Sequence, residues 1–113
     1  MPAAASTFPR RGEIYLVSLD KDRPVLILSV DSLNRYALDV CVVPITSIQR
    51  SQFSMRVPLA KGEGGLNLNC WAKCDQVTTL EKTLLHTKPF GTLPATKLQQ
   101  IEKQVKLALG LIS

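Results

Sequence analysis

The chain has 113 residues, 45% hydrophobic and 20% charged, with a net charge of +5. That is enough for one domain with one modest core, and the longest apolar runs, 24–28 and 40–45, fall far short of the ~20 residues a membrane span needs. The charge is uneven, +1 over residues 1–55 and +4 over 56–113, a balance that suits an anionic partner as well as simple solubility.

Residues 1–9 lack a charged stretch followed by an apolar one, so they read as a flexible lead and not a secretory signal; 10–113 read as a single domain. Residues 13–19, EIYLVSL, have strand composition. Residues 20–22, DKD, are turn chemistry, and 23–30, RPVLILSV, form a second strand, with Pro24 tolerated near its start. Residues 31–36 read as a loop or one helical turn. Residues 37–45, ALDVCVVPI, are almost continuously apolar and predict a strand buried on both faces.

A polar loop covers 46–52, and a weaker strand 53–59. The Gly-rich 60–67 lacks the GK[ST] ending of a phosphate loop. Residues 68–80, LNCWAKCDQVTTL, read as one fifth strand, in which Lys73 and Asp75 share a face opposite Ala72 and Cys74. Residues 84–93 supply a short sixth strand. The end is helical, with Leu98, Ile101, Val105, Ala108 and Leu109 on one stripe. Thr96 and Gln99 predict a capping box, Gly110 a C-terminal cap, and Glu102 with Lys106 an exposed pair. Short strands with no crossover helices predict a mainly β fold, a bent antiparallel sheet or barrel capped by the helix.

Three cysteines, Cys41, Cys70 and Cys74, two of them in apolar surroundings, suggest reduced thiols in a cytoplasmic protein. Their spacing, with His86 the sole histidine, offers no zinc motif; no metal or cofactor is expected. The polar residues that remain gather at strand ends: Arg23, Thr46, Ser47, Lys73, Asp75, Thr78 and Thr79. Cations and hydroxyls without a metal can hold a phosphate and stabilise its developing charge. RNA suits such a site, because its 2′-OH is a built-in nucleophile that DNA lacks. Each residue also has a plainer reading: Arg23 paired with Asp20 or Asp22 at a turn, Thr46 as a turn hydroxyl, Lys73 and Asp75 as a surface ion pair, Trp71 as packing, His86 as a surface residue.

The ordered segments RRGEIYLVSLD (10–20), RPVLILSVDSLNR (23–35), VCVVPITS (40–47), VPL (57–59), KCDQVTTLEKTLL (73–85) and GTLPATKLQQIEKQVKLALGL (91–111) resemble the MazF/PemK/Kid family of toxins from toxin–antitoxin systems. The resemblance implies a small SH3-like β-barrel with a C-terminal helix, working as a homodimer. It implies metal-independent, sequence-specific cleavage of single-stranded RNA by 2′-OH attack, leaving 2′,3′-cyclic phosphate and 5′-OH ends. By matching position it assigns Arg23 and Thr46 to the scissile phosphate. Asp75 becomes either the general base or the orienter of Arg23 or Lys73. Lys73, where some members carry Arg, would bind RNA together with Ser47, Gln76, Lys21 and Thr78. An acidic, MazE-like antitoxin is the implied protein partner; DNA and membranes are not.

The family's long first-hairpin loop is reduced here to Asp20, Lys21 and Asp22, which implies a more open groove. Two other readings stay open: a CcdB-like gyrase-binding toxin, and a catalytically weak member that only binds RNA or antitoxin.

Overall fold

A computed structural model of the chain describes residues 8–48 and 55–111. Among these described residues, seven strands form one strongly curled antiparallel sheet: β1 (Glu13–Ser18), β2 (Asp22–Ile27), β3 (Asp39–Thr46), β4 (Arg56–Leu59), β5 (Cys70–Lys73), β6 (Thr78–Glu81) and β7 (Gly91–Thr92). Two helices accompany it, α1 (Asp31–Tyr36) and α2 (Ala95–Ala108). The strand path runs β4-β5-β3-β2-β1-β7, with β6 also on β3.

β3 organises the molecule. One edge pairs with β2, Val25 opposite Pro44 and Ile27 opposite Val42. The other edge takes β6 at its start, Asp39 opposite Glu81, and β5 at its end, Thr46 opposite Trp71. Its apolar run faces two clusters: Val40 and Val42 join Tyr15, Val17, Val25 and Ile27, while Val43 and Ile45 join Ile14, Leu26, Leu59, Ile101 and Val105. Period-2 alternation therefore buries both faces of this strand, as its composition predicts.

The single strand expected over 68–80 is instead two, β5 and β6, joined by a bend at Cys74–Val77. The Gln76 amide donates to the Lys73 carbonyl at 3.0 Å and closes that turn. Cys74 remains fully buried, its amide bonded to the Met55 carbonyl. Periodicity misleads here because the chain turns a corner while its apolar side chains keep facing the core. Asp75 therefore sits exposed on a turn and not in a strand.

The segment 31–36 is a six-residue helix. Its buried Asn34 anchors it: Nδ2 donates to the Ser29 carbonyl at 2.8 Å, and Ser29 Oγ accepts from the Cys41 amide at 3.1 Å. Of the expected sixth strand, Leu85 makes one bridge to Val17, and only Gly91–Thr92 is a strand. Residues 53 and 54 of the weaker strand, and the lead up to residue 7, lie outside the described residues.

α2 begins two residues earlier than its capping signal. Pro94 is the N-cap and no side chain caps the helix, so Thr96 and Gln99 form no capping box. Pro94 fixes an extended entry, and its carbonyl accepts the Lys97 and Leu98 amides, both at 3.1 Å. The other end follows expectation: Gly110 (φ +72°) lets the Leu111 amide reach the Lys106 carbonyl at 2.8 Å and its own amide reach Leu107 at 3.2 Å. Leu98, Ile101 and Val105 pack on the core, whereas Leu109 is the exposed C-cap. Glu102 pairs with Arg11 and not with Lys106.

Candidate functional site

The β1–β2 hairpin sets Arg23. Ser18 pairs with Asp22 and Val17 with Arg23, leaving a tip of Leu19, Asp20 and Lys21. At this tip Arg23 Nε lies 3.5 Å from Asp20 Oδ1, and the Lys21 amide donates to the same oxygen at 2.9 Å. Arg23, then the Lys21 amide, hold the Asp20 carboxyl below its usual range. The plain turn pairing is thus present, but both partners are exposed, and such pairs are worth little. A stronger anion can take the guanidinium from Asp20.

Thr46 ends β3, where the chain leaves the sheet. Its Oγ1 accepts the Ile48 amide at 3.1 Å, which orients the hydroxyl and leaves its proton for another acceptor. Lys73 ends β5, half-buried. Burial first, then the neighbouring Arg56 and Arg23 cations, push its ammonium below the usual lysine range, while Asp75 acts in the opposite direction. Thr78 opens β6 and donates to the Gln76 carbonyl at 2.9 Å.

These residues converge. Arg23, Thr46, Lys73 and Thr78 line one groove of 270 Å³, floored by Val17, Val25, Val42 and Pro44. A neighbouring recess of 350 Å³ shares Arg23 and Thr46 and adds Lys21 and Ser47. Six of the eight residues expected at the site therefore line one continuous surface. Asp75 and Gln76 line neither recess; the bend places them outside, and the Asp75 carboxylate acts on Lys73 by its charge. No Lys73–Asp75 ion pair forms among the described residues.

A larger groove, 650 Å³, lies elsewhere, between Phe8, Arg10, Tyr15, Arg35, Lys82 and His86. Its cations are engaged in structure. Arg10 stacks on Phe8, and Lys82 Nζ donates to the Asn34 carbonyl at 2.8 Å. Volume alone is thus a poor guide here, since the smaller groove is the one lined by residues expected at the site.

Two residues gained significance only in three dimensions. Arg56 is the cross-strand partner of Lys73; a register between distant strands was its only signal. His86 is half-buried, with Nε2 at 2.9 Å from Ser18 Oγ and 3.5 Å from Asp22 Oδ1, so it braces the hairpin that carries Arg23. Trp71 is half-buried beside Thr46 and Pro58, in keeping with a packing role.

Comparison with known proteins gives this groove its context. Residues 10–109 match the family model described as PemK-like, MazF-like toxin of type II toxin–antitoxin systems. The chain is 32% identical to the endoribonuclease MazF9 of Mycobacterium tuberculosis, over 92% of this chain and 98% of that one. Among solved structures it is similar to the Mycobacterium tuberculosis toxin MazF-mt6 (TM-score 0.79, 30% identity, 89% and 99% of the two chains). It is similar too to a mycobacterial endoribonuclease in complex with its cognate antitoxin (TM-score 0.80, 27% identity, 93% and 98%).

Proposed function

The chain belongs to the PemK-like, MazF-like toxin family, and from that premise we propose that it is an endoribonuclease toxin that cuts single-stranded RNA within the groove of Arg23, Thr46, Lys73 and Thr78. The observation that carries this reading is the convergence of two cations and two hydroxyls, from four different strands, on one groove. The reaction is transfer of the phosphoryl group to the adjacent 2′-OH. The 2′-oxygen gives up its proton to water and forms a bond to phosphorus as the bond to the 5′-oxygen breaks; the 5′-oxygen takes up a proton, giving a 2′,3′-cyclic phosphate and a 5′-OH. The role of the groove is to orient the phosphate and stabilise the charge that grows on its oxygens.

Arg23 offers a fork of donors to those oxygens, and Thr46 adds its free proton. Lys73, with its ammonium held below the usual range, is suited to charge stabilisation or to returning a proton to the leaving 5′-oxygen. Asp75, outside the groove, tunes Lys73 more directly than it reaches a 2′-OH. Lys21, Ser47 and Gln76 serve the flanking strand of RNA.

The relatives are named endoribonucleases, which favours cleavage over the gyrase-binding alternative. No helix among the described residues is long and apolar enough to cross a membrane; the proposed setting is the cytoplasm. Leu107, Leu109 and Leu111, exposed around the end of α2, support a homodimer. The basic groove fits an acidic, MazE-like antitoxin that competes with RNA.

The test is incubation of the purified protein with a long RNA in EDTA, with end mapping of the fragments. Arg23→Ala should lower cleavage by at least ~100-fold, the scale of one lost transition-state donor, while its circular dichroism stays native. Undiminished cutting by that variant would remove Arg23 from the chemistry.

A further inference from the structure

In the β4–β5 ladder Arg56 stands directly opposite Lys73, with Val57 opposite Ala72 in the next pair. Two like charges at opposed positions repel, and the arrangement is destabilising unless an anion joins them. Both residues are half-buried, which removes much of the screening by water. Arg23 adds a third cation to the field at Lys73.

The chain supplies little to offset this. Residues 40–62 contain no aspartate or glutamate at all, yet include Arg50, Arg56 and Lys61. The counter-charge therefore cannot come from the β3–β4 connection. The ion pairs formed among the described residues fall on Arg10, Arg11, Arg23, His86 and Lys97; neither Arg56 nor Lys73 takes part in one. The one carboxylate felt at Lys73 is Asp75, exposed on its turn. The Arg56 guanidinium is oriented by a bond from Nη1 to the Ile48 carbonyl at 3.0 Å, just past Thr46 and Ser47 at the groove rim.

We propose that Arg56 and Lys73 together hold a second phosphate, that of the nucleotide adjacent to the one cut, so that RNA is gripped at two consecutive phosphates. This rests on the nuclease reading and extends it. Arg23 and Thr46 take the scissile group, and Lys73, within the field of both arginines, couples the two stations. A phosphodiester fits because it is a compact anion that repeats along the strand at a fixed spacing. The arginine fork matches its two unesterified oxygens.

The test uses a fully 2′-O-methylated oligoribonucleotide, which binds but cannot be cut, with fluorescence anisotropy read across a salt series. Arg56→Gln should weaken binding by about fivefold or more and flatten the salt slope by about 0.7, the share of one phosphate contact on a single strand. Arg56→Lys should restore the slope. Replacing a single flanking phosphate by an uncharged methylphosphonate should erase the difference between the wild-type protein and Arg56→Gln. The urea midpoint of Arg56→Gln should hold or rise, since a repulsion has been removed.

An unchanged salt slope overturns the proposal, as does a difference that survives at every methylphosphonate position. Cleavage of natural RNA is scored separately. Arg56-dependent binding without any cutting defeats the nuclease reading alone, and cutting indifferent to Arg56 defeats the second phosphate station alone.

Discussion

Single side chains in this protein keep protons that the unfolded chain would release. The Tyr15 phenol is pushed up to about 12, by burial first and then by Glu13, whose Oε1 accepts its hydroxyl proton at 3.2 Å. Burial pushes the Cys74 thiol up to about 11. In both, the folded group stays protonated while its unfolded counterpart ionises from about pH 9–10. The unfolded state then binds fewer protons, so stability is intact below pH 9 and falls as pH rises through 9 to 12. Urea midpoints measured from pH 8 to 11 should decline, and Tyr15→Phe should make that decline shallower. A flat profile would show that neither proton is retained by the fold.

At this scale the sequence spoke clearly about some residues and poorly about others. Arg23, Thr46 and Lys73 were legible because strand ends are where a rigid sheet presents polar groups. Arg56 was not, since its meaning comes from the side chain across from it. Asp75 was misplaced for a physical reason: Cys74 and Val77 stay with the core through the bend, so alternation continues where the strand has stopped.

Among the elements, the Gly-rich segment before β5 shows what its glycines are for. Gly65 has φ +82°, and a Cβ there would sit 2.2 Å from the Phe90 carbonyl oxygen. A Cβ on Gly91 would sit 2.8 Å from the Gly64 backbone. The segment is therefore a backbone-to-backbone contact that locks the 3-10 turn at Glu63–Gly65 onto β7. Gly65→Ala should cost roughly 2–4 kcal/mol, combining backbone strain with an overpacked contact. Thermal unfolding measures it. Gly62, also at positive φ but in open space, is the control: Gly62→Ala should cost only about 1 kcal/mol. The composition of 60–67 identified a glycine-rich connection, but the close approach depends on a partner some 25 residues further along the chain.

For the molecule as a whole, one arginine joins three parts. Arg11 pairs with Glu102 on α2, its Nε donates to the Leu28 carbonyl at 3.0 Å, and its amide donates to Asp31 at the start of α1. The pair is about two-thirds shielded from water on both sides. Glu102→Ala should destabilise by about 1–2 kcal/mol, more than an exposed pair, because it strands a half-buried guanidinium. Denaturant melts give the value, and Glu102→Gln should recover part of it through hydrogen bonding. The mainly β architecture and the terminal helix were readable from periodicity. This clamp was not, because Glu102 has an equally suitable local partner in Lys106, and only packing decides between them.

The hairpin tip that separates β1 from β2 is three residues long, braced by Ser18, Asp22 and His86. A connection that short has almost no conformational slack to lose when a ligand arrives. It also has no reach with which to fold over one. The backbone that carries Arg23 is therefore pre-set before any substrate binds, and the groove has no cover of its own from this side. On the proposed chemistry, the ordering entropy is spent during folding and not on each encounter. The expected kinetic character is rapid capture and rapid release, with the length of RNA gripped, and not a closing flap, setting how long a strand stays.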